Sequence, residues 1–236
     1  VVKGYAKFTG PKSFEVNGET WTFDKAVISV GSEPISLPGW PEDDRIWDST
    51  DALELRHVPK KLVIVGGGII GLEMATVYSA LGSQVQIIEM ADQIAAGSDT
   101  ECATILRSAL EADGVVIHTQ TRVVEVSAAK SGITLSCEGA FEGQIKADNV
   151  IQAVGRRANG LKINAEAAGL SVLPNGVIEV DESCRTAQAD IYAIGDVTGN
   201  PMLAHRATHQ GHVAAEVCAG HAAALDTNLS PSVAYT

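Results

Sequence analysis

Residues 62–89 read LVIVGGGIIGLEMATVYSALGSQVQIIE. Four apolar residues, Leu62 to Val65, run into a glycine cluster in which Gly66, Gly68 and Gly71 have G-x-G-x-x-G spacing. The pattern predicts a strand, a tight turn, a helix, and a second strand from Val85 to Ile88 that ends in Glu89. Such glycines let the chain turn sharply, let backbone approach a pyrophosphate, and let the helix pack closely on the strand. The helix N-terminus presents free N–H groups and a positive dipole end to the phosphates. Glu89 follows Gly71 by 18 residues, where a carboxylate can accept hydrogen bonds from both ribose hydroxyls of an adenosine. It also repels a 2′-phosphate, so the expected cofactor is NAD rather than NADP. The plain alternative is a glycine-rich strand–helix turn in another α/β fold. The order of strand, glycines, helix and acid weighs against it.

The 236 residues are 45% apolar, enough for one large core or two smaller ones. A net charge of −12 argues against a nucleic-acid partner, whose phosphates need a basic patch. No apolar run approaches the roughly 20 residues that span a bilayer, so no membrane segment is expected. No signal-like start is visible, and a cytoplasmic location is expected. The chain opens on the alternating stretch VVKGYAKF and closes on Val233-Ala234-Tyr235-Thr236, which reads as the start of a strand. Both ends predict an internal part of a longer protein. Cys102, Cys137, Cys184 and Cys218 form no C-x-x-C or C-x4-C pair. Reduced, mostly buried thiols are expected.

Residues 1–58 read as short strands followed by a connector. Lys3 to Phe8, Ser13 to Val16 and Thr20 to Phe23 alternate, and Asn17-Gly18 is a two-residue hairpin signal. Ala26 to Val30 is a buried-strand run, and 33–58 is rich in Pro, Asp and Trp. Residues 59–155 form the expected dinucleotide-binding domain. It has a helix capped by Asp99, a strand from Val115 to His118, an antiparallel meander (Val123 to Val126, Ile133 to Cys137, Gln144 to Lys146) and a last core strand, Asn149 to Val154. Residues 156–230 read as a return to another domain. Gly176 to Val180 and Ile191 to Ile194 are strand-like, and Leu203 to Gly220 is a helix stopped by Gly220. Residues 231–236 are expected to begin a further domain.

Three strands end in glycine: Val30-Gly31-Ser32, Val154-Gly155-Arg156 and Ile194-Gly195-Asp196. In open α/β sheets ligands bind beyond such strand ends, so Asp196 can serve a cofactor hydroxyl; a capping aspartate is the plain reading. His205, His209 and His212 fall on one helical face. The first two could hold a metal, but no further ligand follows at a convincing distance, so no metal site is expected. Glu73, at the expected first turn of the glycine-loop helix, is either a dipole-favoured acid or a contact for the nicotinamide end.

Taken in order, these segments resemble the flavin-dependent pyridine nucleotide–disulfide oxidoreductases, most closely the bacterial dihydrolipoamide dehydrogenases. The matching stretches are Val30-Gly31-Ser32, RIWDSTDALEL (45–55), GGGIIGLEM (66–74), YSALGSQ (78–84), Glu89-Met90 and Gly155-Arg156. Thr186 stands seven residues before AIGD at 193–196, followed by PMLAH (201–205) and GHVAAEV (211–217). The resemblance implies a Rossmann-like three-layer NAD domain with a β-meander, flanked by part of a similar FAD domain. It implies that Gly66, Gly67, Gly68, Ile69, Ile70, Gly71, Leu72, Glu73 and Glu89 bind NAD, with Val123 by the adenine and Gly155 near the nicotinamide. Val30, Gly31, Ser32, Asp196, Met202, Leu203, Ala204 and His205 are implied for FAD.

The family passes electrons from dihydrolipoamide through a protein disulfide and FAD to NAD⁺. It is implied to act as a homodimer that serves the lipoyl domains of 2-oxo acid dehydrogenase complexes. The family's C-x4-C pair, first flavin glycine loop and C-terminal interface domain have no counterpart in these residues, so no residue here is assigned a catalytic role. Ala158 stands where the family usually has proline, and Glu33 where it usually has a basic residue. Two other readings remain: a mercuric, glutathione or transhydrogenase relative, which would favour a basic residue near position 89, and a non-catalytic NAD(H)-binding module.

Overall fold

The computed structural model describes residues 1–226 and 230–236. Residues 227–229, within the expected return segment, lie outside the described residues. The chain forms two compact units, Val1–Glu33 with Arg156–Ser232 and Pro34–Gly155 with Val233–Thr236. Its class is α/β, with parallel and antiparallel sheets.

The first unit begins with β1 (Lys7–Gly10), β2 (Ser13–Val16) and β3 (Glu19–Thr22), an antiparallel ladder. Asn17 and Gly18 have φ of 54° and 81°, the two positive values that a tight hairpin turn requires. β1 starts at Lys7 rather than Lys3, because pairing with β2 begins at Lys7 opposite Glu15. β4 (Ala26–Ile28) follows, then β5 (Ser32–Pro34), where the chain leaves the unit.

The second unit opens with β6 (Ile46–Trp47) and the one-turn helix α1 (Ser49–Leu53). Residues 33–58, read from composition as a connector, therefore supply ordered elements. Trp47 is buried and its Nε1 donates to Asp44 O at 3.0 Å. Asp48 caps α1, and Asp51 completes a reciprocal capping box. β7 (Lys61–Val65), α2 (Ile69–Ala80) and β8 (Gln84–Ile88) make the first crossover. α3 (Thr100–Ala112), capped by Asp99, leads to β9 (Val116–His118). The meander β10 (Thr121–Ala129), β11 (Gly132–Gly139), β12 (Gly143–Ala147) precedes β13 (Asn149–Gln152).

The parallel sheet has the order β6-β13-β7-β8-β9. Side chains alternate along β7. Leu62 and Ile64 join Leu72, Ala75, Tyr78 and Ile87 in one core, while Val63 and Val65 join Ile133, Leu135 and Ile145 of the meander in another. A strand covered on both faces must be apolar throughout, which is why LVIV shows no polar residue. The layers are helices, parallel sheet and antiparallel meander.

β14 (Arg156–Ala158) returns to the first unit and pairs with β5. β15 (Ile191–Ala193) runs parallel to β4, and α4 (Ala204–Cys218) follows. Phe8, Ile28, Ile178 and Ile191 share this unit's main core. α4 ends at Cys218, and Gly220, with φ of 91°, closes it two residues on: His221 N donates to Glu216 O and Gly220 N to Val217 O, both at 3.0 Å. Gly176 to Val180 forms no strand. Gly176 and Ile178 are buried, and the Ile178 N–H goes to Val197 O at 2.9 Å in a loop contact, so the alternation marks a loop anchored on the core rather than a strand. Val233–Thr236 forms no strand either: Tyr235 N donates to Glu73 Oε1 at 3.0 Å.

Candidate functional site

The glycine loop lies at the carboxyl end of β7, and each glycine does a separate job. Gly66 has φ of +111°, and a Cβ there would stand 2.3 Å from Ala153 O. Gly71 sits on the first turn of α2, where a Cβ would lie 2.0 Å from Gly66 O. Gly68, the helix N-cap, is exposed and has open space where a Cβ would be. One glycine makes the turn, one lets the helix approach the strand, and one leaves backbone bare to solvent. Leu72 N closes the first helical turn on Gly68 O at 3.0 Å. The N–H groups of Ile69, Ile70 and Gly71 thus precede the first intrahelical bond and point off the helix end.

Glu89 is tied to this loop. Gly67 N donates to Glu89 Oε2 at 2.6 Å, and Ala91 N donates to Oε1 at 2.7 Å. Each carboxylate oxygen keeps capacity for a second donor, as a diol would supply. The strand end is braced by Glu89 N to His118 O (2.8 Å) and Thr121 N to Glu89 O (2.9 Å). Burial pushes the His118 imidazole pKa down, favouring its neutral form. Beside Glu89 is a pocket of about 310 Å³ lined by Met90, Gln120, Thr121, Arg122, Glu138 and Gly139.

Glu73 differs from expectation. It is the fifth residue of α2, a turn in from the start, so the N-terminal dipole is not what favours it there. Val123 pairs with Cys137 beside a β-bulge and packs partly on the meander core. Gly155 has φ of +125°, and its carbonyl accepts from Ile35 N at 3.0 Å.

In the first unit, Ser32 and Asp196 come together although 164 residues apart: Ser32 Oγ lies 2.6 Å from Asp196 Oδ2. Arg156, which the sequence reading did not assign to a site, orders this contact. Its guanidinium donates to Ser32 Oγ at 2.7 Å and to Ser32 O at 2.8 Å. A hydroxyl has one proton, so Ser32 accepts from arginine and donates to aspartate. Asp196 Oδ1 has no hydrogen bond among the described residues and remains available. Asn159 fixes the preceding turn by donating through its Nδ2 to Val30 O (2.9 Å) and its N to Gly31 O (3.0 Å). Glu33 is neutralised by an ion pair with Lys162.

Gln210 is a second missed residue. It is buried, accepts from Gly195 N at 2.7 Å and donates to Thr198 Oγ1 at 3.1 Å, holding the turn that carries Asp196. Gln210→Leu leaves that amide unpaired in the interior. The expected loss is about 1–3 kcal/mol of unfolding free energy, read as a lowered urea midpoint for this unit; an unchanged midpoint would remove Gln210 from this role.

Met202 and Leu203 precede α4, and Ala204 and His205 begin it, with Leu203 as N-cap. His205 Nε2 lies 2.8 Å from Pro231 O. Cys184 is buried beside α4, and burial, with the Asp181 carboxylate adding to it, pushes its thiol up to about 11. It stays protonated near neutral pH and is a poor nucleophile. No helix among the described residues is long and apolar enough to cross a membrane.

A glycine loop at a helix N-terminus followed by an acid at the next strand end is the arrangement of dinucleotide-binding α/β folds. The chain belongs to the pyridine nucleotide-disulphide oxidoreductase family, whose model matches residues 1–211. It is 49% identical over 243 residues to dihydrolipoyl dehydrogenase of Vibrio cholerae, covering 100% of this chain and 51% of that protein. Identity to dihydrolipoyl dehydrogenase of Haemophilus influenzae is 48%, with the same coverage of 100% and 51%. Among solved structures, the HOCl-induced flavoprotein disulfide reductase RclA from Escherichia coli superposes with a TM-score of 0.88 at 27% identity, over 99% of this chain and 53% of that one. The chain spans about half the length of the curated relatives it matches.

Proposed function

We propose that the second unit binds NAD(H), and that the whole protein is an FAD-containing, NAD-dependent dihydrolipoyl dehydrogenase. The observation that carries this reading is Glu89 with one oxygen on the glycine-loop amide of Gly67 and the other on Ala91. That grip couples pyrophosphate recognition to ribose recognition in one rigid element. The open face at Gly68 and the free N–H groups that follow suit a pyrophosphate. A second negative charge on the ribose would meet the Glu89 carboxylate, so NADP(H) is disfavoured.

Val30–Ser32, Asp196 and Met202–His205 would hold FAD, with Asp196 Oδ1, which has no hydrogen bond among the described residues, as an acceptor for a cofactor hydroxyl. The flavin would supply a two-electron carrier between a dithiol and the nicotinamide. We infer that the electrons come from dihydrolipoamide through a disulfide that these residues do not provide. A homodimeric whole protein serving the lipoyl domains of 2-oxo acid dehydrogenase complexes follows from the same reading. The nearly 50% identity to dihydrolipoyl dehydrogenases supports this substrate over that of another disulfide reductase.

Titration of the purified chain with NADH and with NADPH, followed by cofactor fluorescence, tests the cofactor. NADH is expected to bind at least about tenfold more tightly. Tighter NADPH binding would reject the choice.

A further inference from the structure

We propose that Glu138 is a specificity-determining residue of the dinucleotide site, holding Arg122 in an ion pair so that the Arg122 guanidinium is not free for a 2′-phosphate. The inference rests on the NAD reading above and deepens it. Strand β10 is stitched to the Glu89 corner by two backbone bonds, Thr121 N to Glu89 O at 2.9 Å and Gln120 N to Ala91 O at 2.8 Å. Arg122 is the next residue, and it shares the 310 Å³ pocket with Met90, the neighbour of Glu89. A guanidinium beside an adenosine ribose is the feature by which related folds accept a 2′-phosphate, because its fork matches phosphate oxygens.

Here that guanidinium is occupied. Arg122 and Glu138 are directly opposed on β10 and β11, and Arg122 Nη2 lies 2.8 Å from Glu138 Oε2. A 2′-phosphate would have to displace one carboxylate while lying near a second, Glu89. The two acids act differently: Glu89 repels the phosphate, and Glu138 removes its partner. Both side chains of the pair are more than half exposed, at 63% and 52%. Such a pair contributes little to folding, so breaking it leaves the chain folded and the cofactor ratio readable.

The ratio of dissociation constants, NADPH over NADH, tests this in the 236-residue chain at low salt. Glu138→Gln is expected to lower the ratio up to about fivefold, the most that an exposed pair can withhold, and the effect should vanish near 1 M salt. Adding Arg122→Gln to Glu138→Gln should restore the original ratio. A ratio unmoved within about 1.5-fold by Glu138→Gln, or a fall that persists without Arg122, overturns the proposal. Failure of the underlying reading looks different: Glu89→Ala would then leave both affinities unchanged.

Discussion

Gly66→Ala is expected to destabilise the second unit by about 3 kcal/mol or more and to abolish measurable NADH binding. A residue with a Cβ held at φ of +111° costs about 1–3 kcal/mol in strain. The Cβ also stands 2.3 Å from Ala153 O, a backbone atom in the strand exit that has no flexible end to yield, and such overpacking costs about 1–3 kcal/mol more. A chain of this size loses roughly 2–4 °C of Tm per kcal/mol, so a fall of about 6–12 °C should appear by calorimetry. Gly68→Ala is the informative control, because its Cβ meets nothing within 4 Å. It should leave the transition almost in place and still weaken cofactor binding, where bare backbone has to meet phosphate. Equal thermal losses in the two variants would contradict the division of roles among the glycines.

Glu89→Ala is expected to weaken NADH by about 100-fold, or about 2.7 kcal/mol, and NADPH by much less. On the proposed NAD reading the carboxylate has two duties, aligning Gly67 and Ala91 through bonds of 2.6 and 2.7 Å and offering its remaining acceptor capacity to a diol. Losing the first hurts both cofactors alike. Losing the second hurts NADH alone, while NADPH gains from the removed repulsion. The dissociation-constant ratio therefore separates the duties. Parallel losses for both cofactors would reduce Glu89 to a loop brace. Glu89→Gln retains one acceptor oxygen but places an amide group against one of the two N–H donors, so it should fall between the wild-type and alanine values for NADH.

The central crossover was legible because its information is local. Strand, glycines, helix and acid lie within 62–89, and the structure places β7, α2 and β8 there. The Asn17-Gly18 turn and the Asp99 cap were legible for the same reason: each is a one-residue or two-residue device with its own backbone requirement. Short elements were harder to read. Ile46–Trp47 is too brief to leave a period, so composition spoke instead. Gly176 to Val180 has strand alternation but finds no ladder, and alternation alone cannot supply a neighbour. Glu73 was placed a turn too early because the first intrahelical bond, Leu72 N to Gly68 O, sets where α2 begins.

In the first unit the strand-end motifs pointed to Ser32 and Asp196, but their support was hidden. Arg156 reaches Ser32 across 124 positions, and Gln210 reaches Gly195 from the next helix. Neither has a local signature. Arg156 follows a strand-ending glycine, and that position was the only trace available. Gln210 lies between two histidines on α4, where a polar residue reads as solvent-facing; its burial could be known only from the packing of α4 on the Asp196 turn.

Amide NMR of the isotope-labelled chain during titration with NAD⁺ tests the central claim most directly. Gly67, Gly68, Ile69 and Ile70 at the loop and helix start, together with Ala91 beside Glu89, are expected to shift together along one saturation curve. Saturable binding that leaves these amides unmoved would contradict the assignment of the glycine loop and Glu89 as the NAD site.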